Sequence, residues 1–141
     1  MNSFRGEFEY RSNFYNSPIL ILGYNYPTAE HAYQYFKMAT RKGQIAIVQA
    51  PTPGQAKRLS HQYPIKSDWD SKKLLVMQYV VMQKFTQNAE IASILVSSKD
   101  YIVEENEWND TFWGTCNGTG YNHLGIILMG VRDFLFKLNG D

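Results

Sequence analysis

Glu30, Gln34 and Lys37 recur at i, i+4 and i+7 within the stretch Ala29-Glu30-His31-Ala32-Tyr33-Gln34-Tyr35-Phe36-Lys37. In a helix that spacing places all three on one face, with the carboxylate and the amine ~10 Å apart along the axis. This is too far for a routine ion pair and suits two groups that grip one ligand from both ends. A carboxylate stabilises a developing cation or relays a proton, and a lysine of lowered pKa supplies a nucleophilic amine. The same spacing also describes a solvated polar face. Tyr33 and Phe36 lie among the polar residues, and the helix opens in an aromatic neighbourhood of Phe14, Tyr15, Tyr24 and Tyr26.

A second constellation is Asn109-Asp110-Thr111-Phe112-Trp113-Gly114, followed by Gly118, Gly120 and Asn122. An acid, an indole and glycine-rich backbone just before a helix N-terminus have what a phosphorylated or sugar-bearing ligand needs: free N–H groups and a stacking surface. The alternative is a capped loop, with Asn122 as N-cap and Trp113 in the core. Arg132 stands on an otherwise apolar helix, with Asp133 as its acidic neighbour there. It reads either as a buried anion partner or as a side chain snorkelling from an edge.

Other chemistries are poorly supported. His31, His61 and His123 fall in separate segments without metal-ligand spacing, and Cys116, the only cysteine, has no basic group paired with it. A lone cysteine also excludes a disulfide framework or a multi-cysteine zinc site, so a reducing compartment is expected. Phosphate-loop, H-E-x-x-H, CxxC and G-x-S-x-G patterns are absent. Gly118-Thr119-Gly120 lacks the third glycine of a dinucleotide fingerprint. No metal and no cofactor is expected.

The elements that must position these residues are mainly helical. Ile19-Leu20-Ile21-Leu22 between Pro18 and Gly23, with Phe4, Phe8 and Tyr10 alternating before it, predicts short extended pieces and a small strand or hairpin region. Thr28 is the expected N-cap of a helix running from Ala29 to about Thr40, stopped by Arg41-Lys42-Gly43. A short helical piece follows over 44–50. Thr52-Pro53 opens a helix to about Gln62. Ser67 or Asp68 caps a long one over 70–87, apolar around most of its circumference and so expected to be buried. A short helix over 88–96, a β-like Tyr101-Ile102-Val103 and a final helix over 122–138 complete the chain. That last helix has Leu124, Ile127, Leu128, Val131, Leu135 and Leu138 as its core face.

With 141 residues, 44% hydrophobic and no linker or repeat, the chain reads as one compact domain over 1–141. A net charge of +1 argues against a dedicated nucleic-acid binder, although local patches remain possible. No signal-peptide pattern and no membrane span appears, which gives a cytoplasmic, soluble protein as the expectation. Aromatic residues reach 15%, enough to fill a core and to wall a pocket for a planar ligand.

The residues also resemble a known family. Ser12-Asn13-Phe14-Tyr15 with Pro18-Ile19, then Pro27-Thr28-Ala29-Glu30-His31 with Gln34 and Lys37, is similar to the N-terminal signature of the YbiA-like, or NADAR, superfamily. Asp68-Trp69-Asp70, Lys73, Val76-Met77, Lys84-Phe85 and Asn88 continue the match in order. So do Val103-Glu104, Asn109-Asp110, Trp113-Gly114, Gly118, Gly120, Asn122, Leu124-Gly125, Leu128-Met129 and Arg132.

The resemblance implies a largely helical N-glycosidase that cleaves a ribose C1′–N bond. Its substrate would be either a phosphorylated ribosylamino intermediate of riboflavin synthesis or ADP-ribose attached to guanine, the latter borne by nucleic acid. It implies Glu30, Lys37 and Asp110 as catalytic positions. Asn13, Phe14, Tyr33, Gln34, Trp69, Trp113, Gly114, Gly120, Asn122 and Arg132 would contact substrate. No membrane and no obligate protein partner is implied. Within this resemblance Lys37 is either a covalent catalyst or a phosphate or hydroxyl contact. The competing reading is a non-catalytic domain that binds NAD or ADP-ribose-like ligands.

Overall fold

A computed structural model describes residues 3–139. It falls into two units, Asn13–Gln87 and the pair of segments Met1–Ser12 and Asn88–Asp141.

The first unit begins with a hairpin, β1 (Ile19–Ile21) and β2 (Tyr24–Tyr26), paired antiparallel with Ile21 opposite Tyr24. Leu22 and Gly23 join the strands, both at positive φ, the pattern that a two-residue type I′ turn requires. Four helices follow: α1 (Ala29–Lys37), α2 (Arg41–Val48), α3 (Pro53–Ser60) and α4 (Trp69–Gln87). The first three are capped alike. The hydroxyl of Thr28, Thr40 or Thr52 accepts a bond from the backbone N–H three residues on, at His31, Gly43 and Gln55, and so satisfies one of the unpaired donors of that helix start.

Two of these caps agree with the sequence reading and Thr40 corrects it. Arg41-Lys42-Gly43 opens α2 instead of stopping α1, which ends at Lys37 as Met38 bridges to Ile65. Inside, Ile19, Ile21, Tyr26, Ala29, Ala32 and Val80 form one cluster, and Met38, Ile47, Ala50 and Ala56 a second. The small Ala29 and Ala32 let α1 approach the hairpin and α4 closely. Contrary to expectation, α4 is buried along one side only. Met77, Val80, Val81 and Phe85 face inward, whereas Leu74, Leu75 and Tyr79 are exposed.

In the second unit a 3-10 helix spans Gly6–Arg11, where alternation had predicted extended chain. Arg11 explains the tight turn. Its guanidinium is wholly buried, forked onto both carboxylate oxygens of Asp100 at 2.8 and 2.7 Å, with the Phe8 ring 4.4 Å away. Helix α5 (Ala89–Ser97) packs on α6 (His123–Asn139), which buries Leu124, Leu128, Val131 and Leu135. Leu138 is exposed, one turn past the end of the core face. Tyr101-Ile102-Val103 runs as irregular backbone with Ile102 fully buried, not as a strand. No helix among the described residues is long and apolar enough to cross a membrane.

Candidate active site

Helix α1 is fixed at its start by groups that leave its polar face to other work. The Thr28 hydroxyl accepts from the His31 N–H and lies 2.8 Å from Nδ1 of the same histidine, whose Nε2 sits 2.9 Å from the Ala50 carbonyl. Both ring nitrogens are therefore engaged inside the core, and burial pushes the imidazole pKa down. His31 is a structural strut.

Glu30 is 7% exposed. Its N–H donates to the Asn13 carbonyl at 2.9 Å, and its Oε2 accepts from Gln34 Nε2 at 2.6 Å, a short charge-assisted bond one helical turn along the face. Asn13 in turn aims its Nδ2 at the Met77 sulfur, 3.2 Å away. The arrangement leaves Asn13 Oδ1 and Gln34 Oε1 buried without a hydrogen-bond partner. Each such acceptor costs roughly 1–3 kcal/mol if nothing donates to it. Two of them stand on the residues that flank Glu30.

Lys37 ends the same helix. Burial lowers its pKa, the Glu30 charge raises it, and the charges of Lys57 and Lys73 lower it again. Burial is the largest of these influences, and it favours the neutral amine that a nucleophile needs. Between Glu30 and Lys37 along α1, Tyr33 is buried against Trp69, ring centroids 5.2 Å apart. Phe14, next to Asn13, is 44% exposed. Asn13, Phe14, Glu30, Tyr33, Gln34, Lys37 and Trp69 thus all lie in the unit Asn13–Gln87.

The remaining sequence-predicted positions lie in the other unit, in the loop between α5 and α6 and on α6 itself. Asp110 Oδ1 accepts from the N–H groups of Phe112 and Trp113, while the Asn106 side chain bonds both the N–H and the carbonyl of Asp110. These bonds make the loop an ordered turn that sets the half-buried Trp113 against Phe112, edge to face at 4.8 Å. Gly114 is forced by space: a Cβ there would lie 2.1 Å from the Glu104 carbonyl. Gly120, at φ 151°, would place one 2.4 Å from the Gly114 carbonyl.

Asn122 and Arg132 each take partners other than those their neighbours in sequence suggested. Asn122 sits at φ 55° with its side chain against Gly125 of α6. Its Oδ1 accepts from the Glu104 N–H and its Nδ2 donates to the Ile102 carbonyl, so it fastens the loop's two ends instead of capping the helix. Arg132 reaches Ser98 at 3.1 Å and Asp100 at 3.7 Å, and the neighbouring Asp133 pairs with Lys137.

Comparison with known proteins agrees with this architecture. The NADAR domain model matches residues 3–136. The chain belongs to the NADAR family. The NMR structure of E. coli YbiA superposes on all of this NADAR chain and 87% of its own with a TM-score of 0.87, at 33% identity. An N-glycosidase of Nostoc punctiforme is 36% identical over 133 residues, covering 90% of this chain and 85% of that protein. A riboflavin biosynthesis protein of Vibrio vulnificus is 37% identical over 127 residues, 88% of this chain but 35% of that longer protein.

One group of this NADAR chain was read in the sequence only as part of the family match, without its burial. Lys84, 1% exposed, lies under the aromatic rings of Tyr15 and Phe85, and burial holds its pKa down to about 7. The signal was present, since Lys84 follows Met77 and Val80 at i+7 and i+4 on the inward face of α4.

Proposed function

We propose that this NADAR chain hydrolyses the C1′–N bond of a phosphorylated ribosyl substrate with Glu30 and Lys37 as its catalytic pair. The class of reaction, hydrolysis of an N-glycosyl bond, comes from the family and from the N-glycosidase relatives that the chain covers along most of their length. The observation that carries the residue assignment is the pairing, on one face of α1, of a buried carboxylate with a lysine that burial biases toward its neutral form.

Cleavage of a C1′–N bond builds positive charge on the sugar, and a buried carboxylate beside C1′ stabilises it more strongly than one in water. Glu30 fills that role, held in orientation by Gln34. Asn13 Oδ1 and Gln34 Oε1 accept the ribose hydroxyls. The Lys37 amine adds to C1′ of the ring-opened sugar, still joined to the leaving nitrogen as an imine. That nitrogen departs with a proton as an amine, and water then releases the sugar aldehyde from the lysine imine. The resemblance implies that Trp113 faces the base and that Asp110 contacts the substrate.

The two substrate groups that fit are ribosylamino phosphates of riboflavin synthesis and ADP-ribosylated guanine in nucleic acid. Both present a ribosyl C1′–N bond and a phosphate. Incubation with each, with products read by mass, tests the reading. Release of free amine or base with ribose phosphate or ADP-ribose is the expected result. A ligand-induced rise in melting temperature with no product from either group would make the chain a binder and overturn it.

A further inference from the structure

Helix α1 has a second working side. Tyr35 stands five residues on from Glu30, about 140° round the helix and so away from the face that carries Glu30 and Lys37. Its ring meets Tyr24 of β2, centroids 5.8 Å apart, and the two close one side of a cavity of about 200 Å³. Helix α2 and its C-cap supply the other side. Arg41, Ile45, Val48 and Gln49 fall at i, i+4, i+7 and i+8 on one stripe, with the two polar side chains at the ends and the two aliphatic ones between. All six lining residues belong to the unit Asn13–Gln87.

The guanidinium decides what fits. Arg41 donates to the Tyr24 hydroxyl, and its guanidinium carbon lies 5.5 Å from the centre of that ring. Whereas Arg5, Arg11 and Arg132 each reach a carboxylate, Arg41 meets none among the described residues. A guanidinium has five N–H donors, so donors remain after the tyrosine is served.

We propose that this cavity binds a single-ring aromatic carboxylate, with the ring against Tyr35, Ile45 and Val48 and the carboxylate on Arg41. The planar fork of an arginine matches a carboxylate, and one cation without a counter-ion matches a monoanion. The aromatic and aliphatic walls take the ring. The size is right as well. A cavity of roughly 150 Å³ holds benzene, and the larger volume here leaves room for the charged group.

The test is an NMR titration of the whole chain with benzoate, with benzyl alcohol as its uncharged counterpart, repeated on Arg41→Gln and Ile45→Glu. Arg41 and Ile45 are both exposed, so either substitution leaves the core intact. Benzoate should bind with a Kd of about a millimolar, at least tenfold more tightly than benzyl alcohol, and should shift the amide signals of residues 24, 35, 41, 45, 48 and 49. Arg41→Gln should bring benzoate down to the affinity of the alcohol. Ile45→Glu, which offers Arg41 a carboxylate of the chain's own one turn along α2, should abolish benzoate binding. A benzoate Kd above about 10 mM, shifts that map elsewhere, or an affinity unchanged in Arg41→Gln overturns the proposal. An arginine that serves only to tether β2 to α2 would give the first of these results.

Discussion

Glu30→Gln separates two things the carboxylate does in this geometry. The substitution preserves shape, and the amide oxygen can still accept from Gln34 Nε2, now as an ordinary bond where the 2.6 Å contact was charge-assisted. Removing a buried charge recovers its desolvation cost and weakens the bond from Gln34, two effects of opposite sign, so the variant should stay folded. The effect on Lys37 has a definite sign. Glu30 raises the lysine's pKa, so its loss lowers that pKa further and increases the free amine at neutral pH. If Glu30 served only to set the charge of Lys37, the variant would be as fast as the parent or faster. If it stabilises the sugar cation, kcat should fall by about 10²–10⁴, or about 2.7–5.4 kcal/mol of barrier, with little change in KM. Single-turnover release of the base between pH 5 and 9, with a parallel urea melt, measures both. A folded variant with kcat within tenfold of the parent would refute the assignment of Glu30.

Three more outcomes follow from the described contacts. Borohydride added during turnover should trap a sugar adduct on Lys37, and Lys37→Arg should lose roughly a thousandfold or more in kcat, since a guanidinium is no nucleophile at neutral pH; an active, untrappable enzyme would exclude the covalent route. Lys84 is held near pH 7 by burial, so from there to 10.5 the unfolded chain keeps a proton that the folded chain has lost, and stability rises with pH across that window by up to about 1.4 kcal/mol per unit. Urea midpoints at pH 7 and 9.5 should show this rise in the parent and not in Lys84→Met, and equal slopes in the two would contradict it. Gly114→Ala drives a methyl into the Glu104 carbonyl, which accepts the Thr115 N–H at 2.8 Å, and should cost about 2–4 kcal/mol in a urea melt; a neutral result would mean that the loop gives way freely.

Much of the framework was legible because its signals are local. Thr28 and Thr52-Pro53 each act within a single turn, the apolar period of α6 marks its own core face, and Pro18 and Gly23 flank the run that forms the first strand of the hairpin. Glu30, Gln34 and Lys37 shared a face by spacing alone, but their burial did not follow from it: Glu30 and Gln34 are buried because Asn13 and the rings around α1 cover them. What stayed hidden depends on partners far away in sequence. Arg11 coils the N-terminal segment because Asp100 waits for it 89 residues later, and Arg132 finds the same carboxylate instead of its neighbour Asp133. Asn122 looked like a cap until its side chain proved to hold residues 102 and 104. The exposure of Leu74, Leu75 and Tyr79 was illegible for a similar reason, since an apolar run does not tell which of its sides has a neighbour.

The fastening of the α5–α6 loop has a kinetic side. Asn122 ties its two ends, the Glu104 carbonyl and Asn106 N–H pair with Thr115, and the N–H groups of Tyr121, His123 and Leu124 return to Thr111, Phe112 and Trp113. Nearly every bond is to another part of the same segment, so no stretch of it can detach while the rest stays in place. Amide protons at 104, 106, 115 and 121–124 should then exchange with solvent at one shared rate, set by a single cooperative opening. Asp110 and Trp113 ride on that segment, and they are ordered together or not at all.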